Sequence, residues 1–223
     1  MKKLCIYCVG GLGKEVFDIA TRINNIYSRW DEIFFVDDNE ELTEIAYLGR
    51  VFSLNKMLIE FDVDSIEVVI ANGEPIIKEK LFKKVKKLKL NITSLIDPLA
   101  SVSDSANIGE GLIAYPFSII ASDTSIGNNV LVNASAIIGH DIKIGNNSVI
   151  SPQVCIGGAT TIGDSSFIGM GSKIKEQLSI GSNVIVGMSS AVHKDVPDDV
   201  IAMGNPFGLF DVNQQPIATI GAL

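Results

Sequence analysis

Histidine is almost missing from this sequence. It has two in 223 residues, His140 and His193. Two separated histidines without clustered acids do not make a metal site, so no metal is expected. Cysteine is nearly as sparse: Cys5, Cys8 and Cys155 are too few, and odd in number, for a disulfide framework. Cys5 and Cys8 form a CxxC inside the apolar run LCIYCV, which reads as a buried strand. Residues three apart on a strand point to opposite faces, so the two sulfurs are not expected to converge. Basic charge is in deficit, with 18 Lys and Arg against 26 Asp and Glu and a net charge of −8. That argues against nucleic acid or an anionic membrane as the main partner, and any anionic ligand would need local cations or backbone N–H groups. Long apolar runs are absent too. None approaches the roughly 20 residues of a membrane span. The opening MKKLCIYCVGG has six apolar residues before two glycines, too short for a signal sequence. The expected location is the cytoplasm.

What is there folds: 47% hydrophobic and 20% charged residues suit a globular chain, not a disordered one. The dominant feature is a period of six. From Ile96 to Val192, every sixth position holds Ile or Val except Ala114, over seventeen consecutive positions. Four residues after each, a small or β-branched Ser, Thr, Ala or Val stands at all but Leu112, Ile142 and Leu178. Glycine often follows the aliphatic residue, as at Gly127, Gly145, Gly163 and Gly181. This period fits neither a helix nor a hairpin meander. It predicts a parallel β-helix with the Ile/Val column pointing inward and glycines relieving crowding or permitting unusual dihedrals at the corners. Three hexads per coil give a prism on the order of 26 Å tall at ~4.8 Å per strand step.

Residues 1–92 read differently. Apolar strands at 4–9, 33–38 and 66–72 alternate with helical patterns at 10–23, 53–61 and 75–90, which predicts a small Rossmann-like α/β domain with a parallel sheet. The turn with Gly10, Gly11, Gly13 and Lys14 has the makings of a phosphate site: close backbone approach, a helix N-terminus and a cation. It lacks a full GxGxxG, and tight turns also use glycine for geometry alone. Asp37 and Asp38, about 25 residues on, are positioned to accept hydrogen bonds from a ribose or base.

A small nucleotide-binding-like domain followed by [Ile/Val]-Gly-x-x-[Ser/Thr/Ala/Val]-x repeats resembles the hexapeptide-repeat sugar O-acyltransferase family of the sialic acid O-acetyltransferase type. That family includes N-acetyltransferases of nucleotide amino sugars. The resemblance runs from about residue 2 to about residue 207. It implies a left-handed β-helix over 93–200, a C-terminal tail over 201–223, a homotrimer, and acetyl-CoA bound between neighbouring prisms. VGGLGKEV matches the family's opening turn, with Leu12 where histidine is common. With VDD at 36–38 and IANG at 70–73, this implies nucleotide-sugar binding by Gly10, Gly11, Leu12, Gly13, Lys14, Asp37, Asp38, Asn72 and Gly73.

GHD at 139–141 matches the family's general base, His140, with Asp141 as the acid beside it. Imidazole suits proton removal from an attacking amine or hydroxyl near neutrality. The resemblance places the oxyanion donor at Gly158. It lines the acetyl-CoA slot with Met170, Gly187 and Met188, and it puts Asn205 and Pro206 of MGNPF near the coenzyme. Val149 stands where a second histidine near the acyl group is common, which leaves the acyl group open. His193, in AVHKDVPDD, is expected to be structural or exposed.

The function these residues imply is acetyl transfer from acetyl-CoA to the amine of a nucleotide-linked 4-amino-4,6-dideoxy sugar, for surface glycans. O-acetylation of a sugar such as sialic acid is the close alternative. A non-catalytic nucleotide-sugar-binding scaffold is the distant one. A hexapeptide nucleotidyltransferase would need an N-terminal domain roughly twice as long.

Overall fold

Strand and helix alternate at the start of the chain because apolar runs with β-branched residues are followed by glycine or capping residues and amphipathic stretches. In the computed structural model, which describes residues 2–39, 41–42 and 49–211, the elements are β1 (Lys3–Tyr7), α1 (Gly11–Tyr27), β2 (Glu32–Val36), β3 (Val51–Phe52), α2 (Leu54–Glu60), β4 (Ile66–Ile70), α3 (Pro75–Lys87) and β5 (Asn91–Ile92). The five strands form one parallel sheet in the order β3-β2-β1-β4-β5. Strand alternation splits the sheet's side chains between two cores. Leu4 and Ile6 face α1, whereas Cys5, Tyr7, Phe34 and Val36 face α2 and α3. β1 ends at Tyr7, and Cys8 takes a φ of 84°. That turn carries Cys8 to the same side of the sheet as Cys5, so the expected placement on opposite faces does not hold. Both thiols are free, and burial pushes Cys8 up to about 11.

From Leu95 the chain coils into a parallel β-helix. Two-residue strands recur every six residues and stack in register with the strand eighteen residues on, as Ile119↔Ile137 and Ile120↔Ile138 do. Eighteen residues therefore make one coil of three strands. The inward column, Ile120, Ile126, Val132, Ile138, Ile144 and onward to Val192, is buried in one continuous core. Its first member, Ile96, sits at the open end and is partly exposed.

The second inward position explains the small or β-branched residue. Thr124, Ser148, Ser166 and Ser172 are fully buried, and each hydroxyl donates to a glycine carbonyl of the next coil at 2.9 Å. A buried polar group needs such a partner. At the corners, the glycine directly after the inward residue acts through space and not through dihedral freedom, whereas Gly111 and Gly171 take the left-handed position itself. Positive φ falls two residues later, on Asn129, Asp141, Asn147 and Ser165 among others. A Cβ on Gly145 would instead lie 2.5 Å from the backbone N of Asp164, one coil on.

The three faces of the prism have different fates. The outward residues of the first face, Leu95, Ile113, Leu131 and Val149, are buried in the same cluster as Val16, Ile19 and Ile23 of α1. This shared core joins the two halves of the chain, and Arg22 reinforces it by gripping the buried Asp97 carboxylate at 2.6–2.7 Å. The second face leaves Ile119 and Ile137 exposed, with Leu99 and Phe117 at its corner. The third carries Asn107, Ser125, Lys143, Thr161 and Ser179 outward and reads as a wetted surface. Residues 200–211 form a hairpin, Val200–Gly204 with Phe207–Asp211, that extends the first face past its last coil. The apolar end of the chain, expected to pack on the protein, lies outside the described residues.

Candidate active site

His140 stands at the corner between the second and third faces, in the loop between strands Ile137–Ile138 and Lys143–Ile144. Asp141 follows with a φ of 57°, and that left-handed turn swings its carboxylate back to the imidazole. Nδ1 of His140 lies 2.7 Å from Oδ2 of Asp141, both side chains being exposed. A carboxylate on Nδ1 holds the proton there and leaves the Nε2 lone pair as the basic site. Gly158 is the residue one coil on, and a Cβ there would lie 2.6 Å from Nε2 of His140. The imidazole thus lies over a glycine because only a glycine leaves it room. The carbonyl of Gly158 accepts from Gln177, and its N–H has no partner among the described residues.

The corner between the third and first faces makes a useful contrast. There Asn128, Asn146, Asp164 and Ser182 form a ladder, each backbone N–H donating to the side chain one coil on at 2.6–3.1 Å. That corner's polar groups satisfy one another, whereas the His140 corner presents a base and an N–H outward.

Met170, Gly187 and Met188 lie on a different edge, between the first and second faces, with Met170 one coil below Met188. The N–H of Ser189 donates to the carbonyl of Met170 at 2.8 Å, and both methionines are exposed. The hairpin turn with Asn205 and Pro206, joined by a cis peptide, closes over this edge. Gly204 donates to Ser190 Oγ at 3.1 Å, and a Cβ on Gly187 would lie 2.8 Å from Cβ of Met203. Within one chain this group does not meet His140, since the width of the second face separates them. His193 is exposed and lies edge-on to Phe207 at 5.0 Å. Val149 stands on the first face, in the strand Val149–Ile150. It is buried in the seam against the α/β domain, so its apolar character answers to the packing of the two halves.

In the α/β domain, Gly10 caps α1, and both Gly10 and Gly11 have open space where a side chain would be. Free N–H groups at this helix start suit an anion. Gly13 serves packing instead: a Cβ would lie 2.2 Å from the carbonyl oxygen of Cys8. It seats α1 on β1 and does not face the turn's open side. Leu12 likewise packs into the α1 core, and Lys14 is exposed.

Asp37 braces the turn, accepting from the N–H of Val9 at 3.0 Å and of Asn39 at 2.9 Å. Asp38 accepts from Tyr7 Oη at 2.7 Å and Lys84 Nζ at 2.8 Å. Burial opposes the Asp38 charge, but the bonds from Lys84 and Tyr7 prevail and hold its carboxyl below the usual range. The two aspartates line a hollow of about 250 Å³ with Ser53, Leu54, Asn55 and Lys84. Lys84 and Ser53 carry no sequence signal for this role, one being a helix lysine and the other a capping serine. Asn72 accepts from the N–H of Glu74 at 2.9 Å and turns its amide toward Cys8, while Gly73 has open space above it. Among the described residues no group of three or more His, Cys, Asp or Glu is placed to hold a metal ion.

Residues 3–85 match the PglD N-terminal domain, and residues 123–158 match the bacterial transferase hexapeptide (six repeats). No curated protein matches the chain. The acetyltransferase domain of PglB from Neisseria gonorrhoeae FA1090, solved with acetyl coenzyme A, is 28% identical with a TM-score of 0.86 over 94% of this chain and 99% of that one. PerB from Caulobacter crescentus, solved with CoA and GDP-perosamine, is 25% identical with a TM-score of 0.84, covering 94% of this chain and 98% of that one. WeeI from Acinetobacter baumannii AYE is 25% identical with a TM-score of 0.77, over 94% of this chain and all of that one.

Proposed function

Because the chain belongs to the hexapeptide-repeat sugar acetyltransferases, we propose that it moves acetyl from acetyl-CoA to the amine of a nucleotide-linked 4-amino-4,6-dideoxy sugar, for surface-glycan synthesis in the cytoplasm. The observation that carries this is the His140 corner, where a carboxylate on Nδ1 leaves Nε2 basic beside an uncommitted Gly158 N–H. The relatives solved with acetyl coenzyme A and with CoA and GDP-perosamine supply the two substrate classes.

The amine attacks the thioester carbonyl while His140 Nε2 takes its proton. The oxyanion of the tetrahedral intermediate takes a hydrogen bond from the N–H of Gly158. Collapse expels the coenzyme A sulfur, which recovers the proton from His140. Asp141 holds the imidazole's tautomer and stabilises its cation. The Gly10–Lys14 turn takes the diphosphate, with Asp37 at the turn's base. The hollow beside Asp37 and Asp38 takes the nucleoside.

The methionine edge and the His140 corner come together when a second copy seats on the exposed second face, and three copies close the ring. Exposed Ile119, Ile137, Phe117, Met170 and Met188 support that arrangement. Each cleft then holds acetyl-CoA between His140 of one copy and the methionine edge of its neighbour.

Thiol release from acetyl-CoA is the test, with UDP- and GDP-linked 4-amino sugars offered beside sialic acid. The His140→Ala variant is expected to lose about 10²–10⁴ in kcat at unchanged melting temperature, because the side chain is exposed. Acetylation of sialic acid alone would replace the N-transfer reading by O-transfer. Activity surviving in His140→Ala would remove the mechanism.

A further inference from the structure

The net charge of −8 is the sum of two unlike parts. Residues 75–90, PIIKEKLFKKVKKLKL, hold seven lysines and one glutamate, a formal +6. The rest of the chain holds 11 basic and 25 acidic residues, a formal −14. Most of the basic segment is α3, and its helical period sorts the lysines. Ile76, Lys80, Lys83 and Lys87 succeed one another at four, three and four residues, so they share one stripe, and all four are exposed. Lys78 points into the prism and is buried, while Lys84 and Lys86 reach Asp38 and Glu110. α2 and α3 cover the face of the sheet opposite α1, so the stripe lies on the outer layer of the α/β domain. Ile59 of α2, in the same layer, is 87% exposed.

Helix stability accounts for only part of this run. Lys84, Lys86 and Lys87 lie in the last turn, where the helix dipole favours cations. Lys80 and Lys83 come before that turn and gain little from it. Ion pairs do not use the charge up either. Lys83 pairs with Glu79, but Lys80, Lys87 and Lys89 have no ion-pair partner among the described residues. The kind of cation bears on the partner's chemistry. All three arginines of the chain are spent on carboxylates: Arg22 on Asp97, Arg29 on Glu67, and Arg50 on Glu32 and Glu60. The stripe has none. Arginine's planar fork suits a fixed carboxylate or phosphate, whereas lysine is a hydrated point charge on a flexible stem. Lysines in a row beside exposed isoleucines suit many loosely placed anions over an apolar layer, as on an anionic bilayer. At physiological salt, charges beyond about 8 Å are largely screened, so acids on the far side of the prism do not cancel the stripe. No helix among the described residues is long and apolar enough to cross a membrane, so the contact is with its surface.

We propose that the outer stripe of α3 is a docking surface for an anionic lipid membrane, with Lys80, Lys83 and Lys87 among the headgroups and Ile59 and Ile76 as its apolar contacts. The expectation drawn from net charge, that an anionic membrane is not the main partner, then holds for the rest of the surface and not for this layer. The proposal goes beyond acetyl transfer and uses none of the residues assigned to it. Of the lysines on α3, only Lys84 lines the hollow assigned to the nucleoside.

Sedimentation of the full chain with lipid vesicles tests it. The parent is expected to bind vesicles of mixed phosphatidylglycerol and phosphatidylcholine but not of phosphatidylcholine alone. It should come off as salt rises from about 0.05 M to about 0.5 M. Lys80→Gln, Lys83→Gln and Lys87→Gln together should lower the partition about a hundredfold. Lys143→Gln, Lys175→Gln and Lys194→Gln together change the net charge equally but elsewhere, and should bind as the parent does. Both triple variants should melt with the parent, because every changed side chain is exposed. Turnover of soluble substrates by the α3 variant should match the parent's. A parent that binds no anionic vesicle at low salt overturns the proposal. So does an equal loss in the two triple variants, which marks net charge alone. Tighter retention of the parent on RNA than on the vesicles at the same salt overturns it as well, in favour of a general polyanion surface. Lost turnover in the α3 variant without vesicles would put the stripe in the active site and remove docking as its role. A parent that acetylates nothing yet binds anionic vesicles through the stripe refutes the functional reading alone.

Discussion

His140 acts through its immediate neighbours in sequence and in space, and they constrain it differently. Asp141 is adjacent in sequence, and its left-handed backbone makes the 2.7 Å pair to Nδ1; the GHD motif names the two residues, and the turn decides that they face each other. Gly158 is eighteen residues away, and its closeness to Nε2 exists only because the coil brings it there. Gly158→Ala sets a methyl 2.6 Å from Nε2, so the ring must move. At least a tenfold fall in kcat is expected with little change in melting temperature, because the ring that yields is exposed. Steady-state kinetics beside a thermal melt checks both halves. Other residues were legible as chemistry but not as location. Leu12 and Val149 stand where histidine is common in the family, and both prove to be packing residues of the seam.

At the scale of the element, a two-residue strand sends one side chain into the core and the next outward. Ile137 and Ile138 are neighbours with opposite fates, 42% and 0% exposed. Ile138→Ala removes part of a buried column and is expected to cost about 2–5 kcal/mol, a melting temperature several degrees lower. Ile137→Ala is expected to leave the melt of the monomer unchanged and to weaken association of copies. Calorimetry with analytical ultracentrifugation separates the two. The corner glycines show where local reading stops. The period marked their positions, but their reason is the backbone one coil on, which no hexad contains.

For the whole molecule, the seam between the halves holds the most unusual titratable group. Lys78 on α3 is fully buried, and its ammonium donates to Asn129 Oδ1 of the prism at 3.2 Å. Asn129 returns a bond to the carbonyl of Lys78 and another to Asn147. Burial brings the Lys78 pKa down to about 7. Above that pH the folded chain has released a proton that the unfolded chain keeps until about 10.4, so stability rises with pH across that interval. The Cys8 thiol, pushed up to about 11, works the opposite way above about pH 8.5, the ordinary thiol pKa. Between pH 7 and 8.5 the parent's melting temperature should therefore climb relative to that of Lys78→Met. Parallel slopes for the two would show that Lys78 titrates normally.

The sequence by itself determined whatever repeats or stays local: the coil with its inward column, the small hydroxyls behind it, the strand–turn–helix opening and the His140–Asp141 pair. Local backbone sterics and side-chain period set these wherever the residues occur. Only the tertiary structure decided which face of the prism is docked, which is apolar and open, and which is wetted. It also decided that Gly13 and Val149 serve packing. All three faces share one inward pattern, and their outward residues gain meaning only from α1 and from coils eighteen residues away. Contacts of that range leave no periodic trace in a single chain's sequence.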